Sequence, residues 1–113
     1  MTQPQLARLV RLWRNRLGLI DWQITAELAT VDQLPDCYGT IPYDAGEGTA
    51  LLRVRDCESL EAVVVHELLH LRLAPFGDGD ESEPGHEERE RAINLLAGAF
   101  LAAYPRRRKK GGR

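Results

Sequence analysis

His66 and His70, four residues apart, with Glu67 directly after the first, are the residues in this chain whose types and spacing could do chemistry. On a helix of ~3.6 residues per turn the two histidines fall on one face, so both imidazoles can reach a single cation. Glu67 lies about 100° round the helix from His66, where a carboxylate can touch a metal-bound water without being a ligand. The spacing H-E-x-x-H on a helix reads as a zinc site with its general base. The plainer alternative is two histidines on a half-buried helix that hydrogen-bond locally. Three features weigh against it. The apolar run Ala62-Val63-Val64-Val65 leads into the motif, two of the chain's three histidines fall within it, and further ligands stand downstream.

A catalytic zinc site takes three protein ligands and leaves one position to water. The candidates after the motif are His86, Glu87, Glu88 and Glu90. Ile93 and Ala97 mark the inward stripe of the last helix. Glu90 precedes them by three and seven residues and so shares that face. A carboxylate on an inward stripe costs free energy unless it meets a charge or a metal. Glu90 is therefore the expected third ligand, with His86 as the alternative. Asn94, one turn after Glu90, is placed to hydrogen-bond a ligand histidine from behind.

The elements that must position these residues can be read in order. Thr2, Pro4 and Gln5 form a helix start with a capping box, and Leu6, Leu9, Val10, Trp13 and Leu17 recur at helical spacing up to Gly18. Arg8, Arg11, Arg14 and Arg16 fall mostly on the other side, as a solvated basic face. Residues 22–29 alternate apolar and polar and read as a strand. Residues 38–43 contain Gly39 and Pro42 among β-formers, which predicts a short or edge strand. After the turn at 44–48, residues 49–55 make a third strand. Asp56 is the expected cap of the motif helix, which packs through Leu60, Val63, Val64, Leu68 and Leu71 and ends near Ala74, before Pro75. Residues 76–85 read as an exposed acidic loop. The last helix starts between Ser82 and His86 and runs to about Tyr104. The expected fold is α+β: an N-terminal helix, a small three-stranded, mainly antiparallel sheet, the motif helix and the glutamate helix. It forms one domain over 1–105, with a disordered basic tail over 106–113.

The 113 residues suffice for one core, and 43% hydrophobic with 28% charged residues is ordinary globular composition. The net charge of -2 conceals an asymmetry: 106–113 hold six of the fifteen basic residues, leaving nine against seventeen acidic ones before them. Cys37 and Cys57 lack C-x-x-C spacing and read as reduced small core residues. No signal peptide or membrane span is legible, which makes a cytoplasmic location the default. Nucleic acid has only the basic tail to support it, and no aromatic residues interleave with the helix arginines for base stacking.

On these residues the chain resembles the zincin metallopeptidases, and among them the gluzincins, whose third ligand is a glutamate on a later helix. The thermolysin-like pattern sets nineteen residues between the motif and that glutamate, with an acidic residue four further on. Here nineteen residues separate His70 from Glu90, and Asn94 stands where the acidic residue would be. The size and element order are similar to the stand-alone minigluzincins of prokaryotes and phages, over nearly the whole chain to Tyr104. The resemblance implies His66, His70 and Glu90 as zinc ligands, Glu67 as catalytic base, and a peptide or protein substrate hydrolysed in the cytoplasm of a prokaryote or phage-infected host. An extended substrate would align on an edge strand, with residues 49–55 the first choice. Latency or self-inhibition is a further implication. Two other readings stand beside it: a zinc-binding, non-proteolytic interaction or regulatory module, and an SprT-like domain with three histidines, in which His86 would be the ligand.

Overall fold

A computed structural model describes residues 1–76 and 84–105. The expectations of an acidic loop over 76–85 and a disordered tail over 106–113 fall wholly or largely outside these residues. The described chain forms a small α+β domain with three helices and a mixed four-stranded sheet.

Helix α1 spans Gln3–Arg16. Thr2 and Gln5 close the capping box in both directions, and Gly18, at φ 72°, supplies the left-handed turn that ends the helix. Leu6, Val10 and Trp13 are buried, at the expected spacing. Gln3 has a second role at the sheet: its side-chain amide donates to the Ala26 carbonyl and accepts from the Leu28 N–H, which occupies the outer edge of the first strand.

The strands are β1 (Gln23–Ala29), β2 (Gly39–Thr40), β3 (Tyr43–Asp44) and β4 (Thr49–Arg55). Strand β4 is central. It pairs in parallel with β1 along all seven residues, and antiparallel with β2 and β3 on its other side. Two expectations are corrected here. The sheet is mixed rather than mainly antiparallel, with four strands instead of three, because residues 30–38 carry the chain from the end of β1 past β4 to its far side instead of folding back as a hairpin. Residues 49–55 are not an edge strand either, since both sides of β4 are paired. The stretch 38–43 does form a short edge. Pro42 lacks an N–H, and the pairing splits into two strands of two residues each around it, with the Pro42 carbonyl still accepting from Leu51. The turn into β4 is tight: Asp44 accepts the Glu47 N–H through its side chain and the Gly48 N–H through its carbonyl, with Gly48 at φ 69°.

Helix α2 (Leu60–Leu73) carries the H-E-x-x-H motif. Asp56 does not cap it. Its carboxylate instead accepts from the N-terminal ammonium at 2.9 Å, while a turn from Cys57 to Leu60 delays the helix, leaving Ser59 at the cap position without a side-chain capping bond. Glu61, in the first turn, accepts from Trp13 Nε1 at 2.8 Å and ties α2 to α1. Helix α2 is buried on more than one side: Leu60, Val64, Leu68 and Leu71 continue one stripe, and Val65 and Leu69 open another. It lies between the sheet and α1 on one hand and α3 (His86–Ala103) on the other. Arg16 is not simply solvated. Its guanidinium stacks on the rings of Trp13 and Tyr104, at 4.8 and 4.2 Å, and fastens the end of α3 to α1. Both cysteines are free and half-buried. Among the described residues no helix is long and apolar enough to cross a membrane.

Candidate metal centre

Helix α2 places His66 and His70 one turn apart on the side that faces α3. Helix α3 brings Glu90 to them because Ile93 and Ala97, on the same stripe, are its two buried residues. His66 Nε2 and His70 Nε2 lie 3.2 Å apart. Glu90 Oε1 lies 3.4 Å from His66 Nε2, and Glu90 Oε2 lies 2.9 Å from His70 Nε2. In a tetrahedron of ligands about 2.0–2.1 Å from zinc, neighbouring donor atoms stand about 3.3 Å apart. The two imidazole nitrogens stand near that value and each Glu90 oxygen lies within 3.4 Å of one of them, so the three side chains form a group that could hold a metal ion. His66, His70 and Glu90 also form the one group of potential metal-binding side chains among the described residues.

Charge state agrees with ligation better than with ion pairing. Burial holds the His70 pKa below its usual value. Glu90 acts against this, and His66, His86 and Arg89 act with it. His70 is thus favoured as a neutral imidazole, the form that binds a metal.

Glu67 points into a cavity of about 300 Å³ shared with His66 and lined also by Cys37, Tyr38, Gly39, Ala62, Val63 and Asn94. In the metal-free chain burial, and behind it the negative charge of Glu90, push the Glu67 carboxyl up to about 7. Gly39 sets how close β2 comes. A Cβ there would lie 2.7 Å from Val63 Cγ1 and 3.3 Å from Glu67 Cγ, so only glycine lets the strand rest on this turn of α2. Tyr38, next to it, is half exposed, with the Arg55 guanidinium 4.7 Å from its ring centre.

The remaining candidates fall into two groups. Asn94 lines the cavity but is exposed and hydrogen-bonds neither histidine, so the support expected of it is not made. His86 begins α3 near enough to His70 to act on its charge, yet it lies outside the cluster of three, and its Nδ1 is buried without a partner. Glu87 and Glu88 are exposed. Sequence reasoning read Gly39 only as part of a short strand and Cys37 only as a core residue, and assigned neither to the site; the structure lines the cavity with both. A glycine inside a run of β-formers was the available signal for Gly39, while nothing local marked Cys37. A larger groove of about 770 Å³ runs between α1 and the start of α2, away from the histidines.

No protein-family model, curated protein or solved structure matches this chain.

Proposed function

We propose that this domain is a zinc-dependent metallopeptidase of minimal zincin layout, with His66, His70 and Glu90 as ligands and Glu67 as general base. One observation carries the reading: two imidazoles and a carboxylate from two helices converge beside a half-buried glutamate on an open cleft. A zinc ion held there supplies Lewis-acid polarisation of a peptide carbonyl and makes a water more acidic.

The chain's own residues account for the rest. Glu67 takes a proton from a water as its oxygen adds to the carbonyl carbon, then gives that proton to the amine nitrogen as the C–N bond breaks. An extended peptide is served by the 38–40 edge, which borders Glu67, rather than by β4, which has no free side. The opposite edge of the sheet is occupied by Gln3.

The test combines elemental analysis with a peptide-library assay. The wild type is expected to hold about one zinc per chain and to cleave. Glu67→Gln is expected to keep its zinc and lose cleavage by about 100-fold or more. A wild type that binds zinc and cleaves nothing would reduce the domain to a zinc-binding module. Zinc lost in His86→Ala but kept in Glu90→Ala would transfer it to the three-histidine class.

A further inference from the structure

Gln3, Ala7, Val10, Arg11 and Arg14 follow one another at helical spacing, along the side of α1 that packs on β1. Strand β1 is an edge of the sheet, and the Gln23 N–H donates to the Gly48 carbonyl on the β4 side. Peptide groups point alternately to the two sides of a strand, so those of Ile24, Ala26 and Leu28 turn outward. Gln3 takes the Ala26 carbonyl and the Leu28 N–H. The step before it is open: among the described residues no side chain bonds the Ile24 N–H, the Ile24 carbonyl or the Ala26 N–H.

A pocket of about 160 Å³ lies at this open step, lined by Ala7, Val10, Arg11, Arg14, Ile24 and Ala26. Its side chains are apolar except for the two arginines, and neither arginine pairs with a carboxylate among the described residues. Arg14 Nη2 donates to Asn15 Oδ1 at 3.3 Å, while its Nε–H is buried with no acceptor. A buried charged donor without a partner is costly, and an oxyanion is the partner that a guanidinium matches in charge and shape.

The donors also indicate which oxyanion. One guanidinium fork satisfies both oxygens of a carboxylate. Here Arg11 and Arg14 stand on successive turns, and two backbone N–H groups border the same space. The oxygens of a phosphate group point tetrahedrally and can meet donors from all of these directions. A phosphate group that retains one proton also has an O–H for the Ile24 carbonyl, which an ionised carboxylate lacks. The pocket is smaller than the about 300–1,000 Å³ that encloses a drug-sized ligand, so it takes a single group rather than a nucleotide.

We propose that the pocket between α1 and the outer edge of β1 binds a phosphate group, free or on a small ester, with Arg14 and Arg11 as its charged partners. None of its residues belongs to the metal centre or to the cleft beside it, so the two sites stand or fall separately.

Titration of the full chain with sodium phosphate at constant ionic strength, followed by its amide and arginine Nε–H resonances, tests the proposal. Saturable shifts are expected at Ile24, Ala26 and Arg14 Nε, with half-saturation at about 1–10 mM. Arg14→Gln should weaken binding by about tenfold or more, and Arg11→Gln by about threefold or more. Arg14→Lys, which keeps the charge and loses the Nε–H, should weaken it nearly as much as Arg14→Gln. Arg8→Gln removes an equal charge from the same helix outside the pocket, and should change the affinity by less than about twofold. Methyl phosphate binding tighter than inorganic phosphate would assign the site to an ester, and the reverse would assign it to the free ion. Absence of saturable shifts overturns the proposal, as do equal losses in Arg8→Gln and Arg14→Gln. Acetate that binds as tightly as phosphate overturns it in favour of a carboxylate, and shifts confined to α2 and α3 would place the anion at the metal centre instead.

Discussion

Helix α2 buries six side chains on two of its sides, whereas α3 buries two along a single stripe, although both bring candidate ligands to the same point. The histidines therefore stand on the most enclosed element of the domain, and the glutamate stands on the least enclosed helix. The difference teaches where the site is fixed and where it is conditional. His66 and His70 keep their mutual geometry as long as the core persists. Glu90 reaches them only while α3 stays docked, and the packing that docks it is limited to Ile93, Ala97 and half-buried neighbours. A metal bound at the proposed site would then be part of what holds α3, because an ion that binds only the assembled site stabilises that assembly.

The sharpest way to break this comparison is to truncate one leucine on each helix. Leu68 is fully buried in α2, so Leu68→Ala should cost about 2–5 kcal/mol of unfolding free energy. Leu95→Ala, on the open side of α3, should cost no more than about 0.5 kcal/mol in dilute, monomeric protein. Chemical denaturation of the two variants checks this. Comparable losses would mean that α3 is as enclosed as α2.

Metal removal should separate the helices next. With zinc chelated, amide exchange in α3 is expected to accelerate by about tenfold or more, while the protected centre of α2, around Val64 to Leu69, changes far less. Glu90→Ala should reproduce that pattern and weaken zinc binding by about 100-fold or more, since it removes a ligand outright. Hydrogen exchange read by mass spectrometry decides it; equal acceleration in both helices would show that they open as one unit.

How far this arrangement was legible depends on how local each determinant is. The α1 capping box, the period-2 strands, the helix stop before Pro75 and the inward face of Glu90 on its helix all follow from spacing within one element. Each was readable from residues such as Thr2, Gln5 and Ile93. The path from β1 to β4 was not. Ile24, Ala26 and Leu28 alternate in the same way whether their neighbour runs parallel or antiparallel, so periodicity cannot reveal that residues 30–38 cross to the far side of β4. Capping by Asp56 failed for a similar reason: its carboxylate was taken by the amino terminus, 55 positions away in sequence. The Gln3 contact with β1 and the fit of Gly39 against Glu67 are likewise pairings between distant segments.

A smaller effect follows from Glu67, at the boundary between the helices. In the metal-free chain its pKa stands near 7, above the 4.5 of an unfolded glutamate. The folded state therefore binds more protons between those values, and stability from this group is lost as pH rises from about 4.5 to 7. His70, with its pKa lowered, contributes the opposite slope on the acid side, and it does so with or without the Glu67 carboxyl. The difference between wild type and Glu67→Gln isolates the glutamate. Metal-free Glu67→Gln should gain about 1–3 kcal/mol on the wild type between pH 5 and pH 8. A pH-independent difference between the two denaturation series would mean that the Glu67 carboxyl is solvated as in an unfolded chain.

Asn94 should give the smallest effect. It lies one turn after Glu90 on the less enclosed helix, lines the cleft and is exposed, with no bond to either histidine. An outer residue that orients a ligand through a hydrogen bond typically changes metal affinity by about 10–100-fold when removed. Without that bond, Asn94→Ala should change zinc affinity by less than about threefold, as measured by competition with a chelator. A loss in the larger range would show that α3 moves closer to α2 once the ion is bound, drawing the amide onto His66 or His70 and making the glutamate helix as fixed as its neighbour.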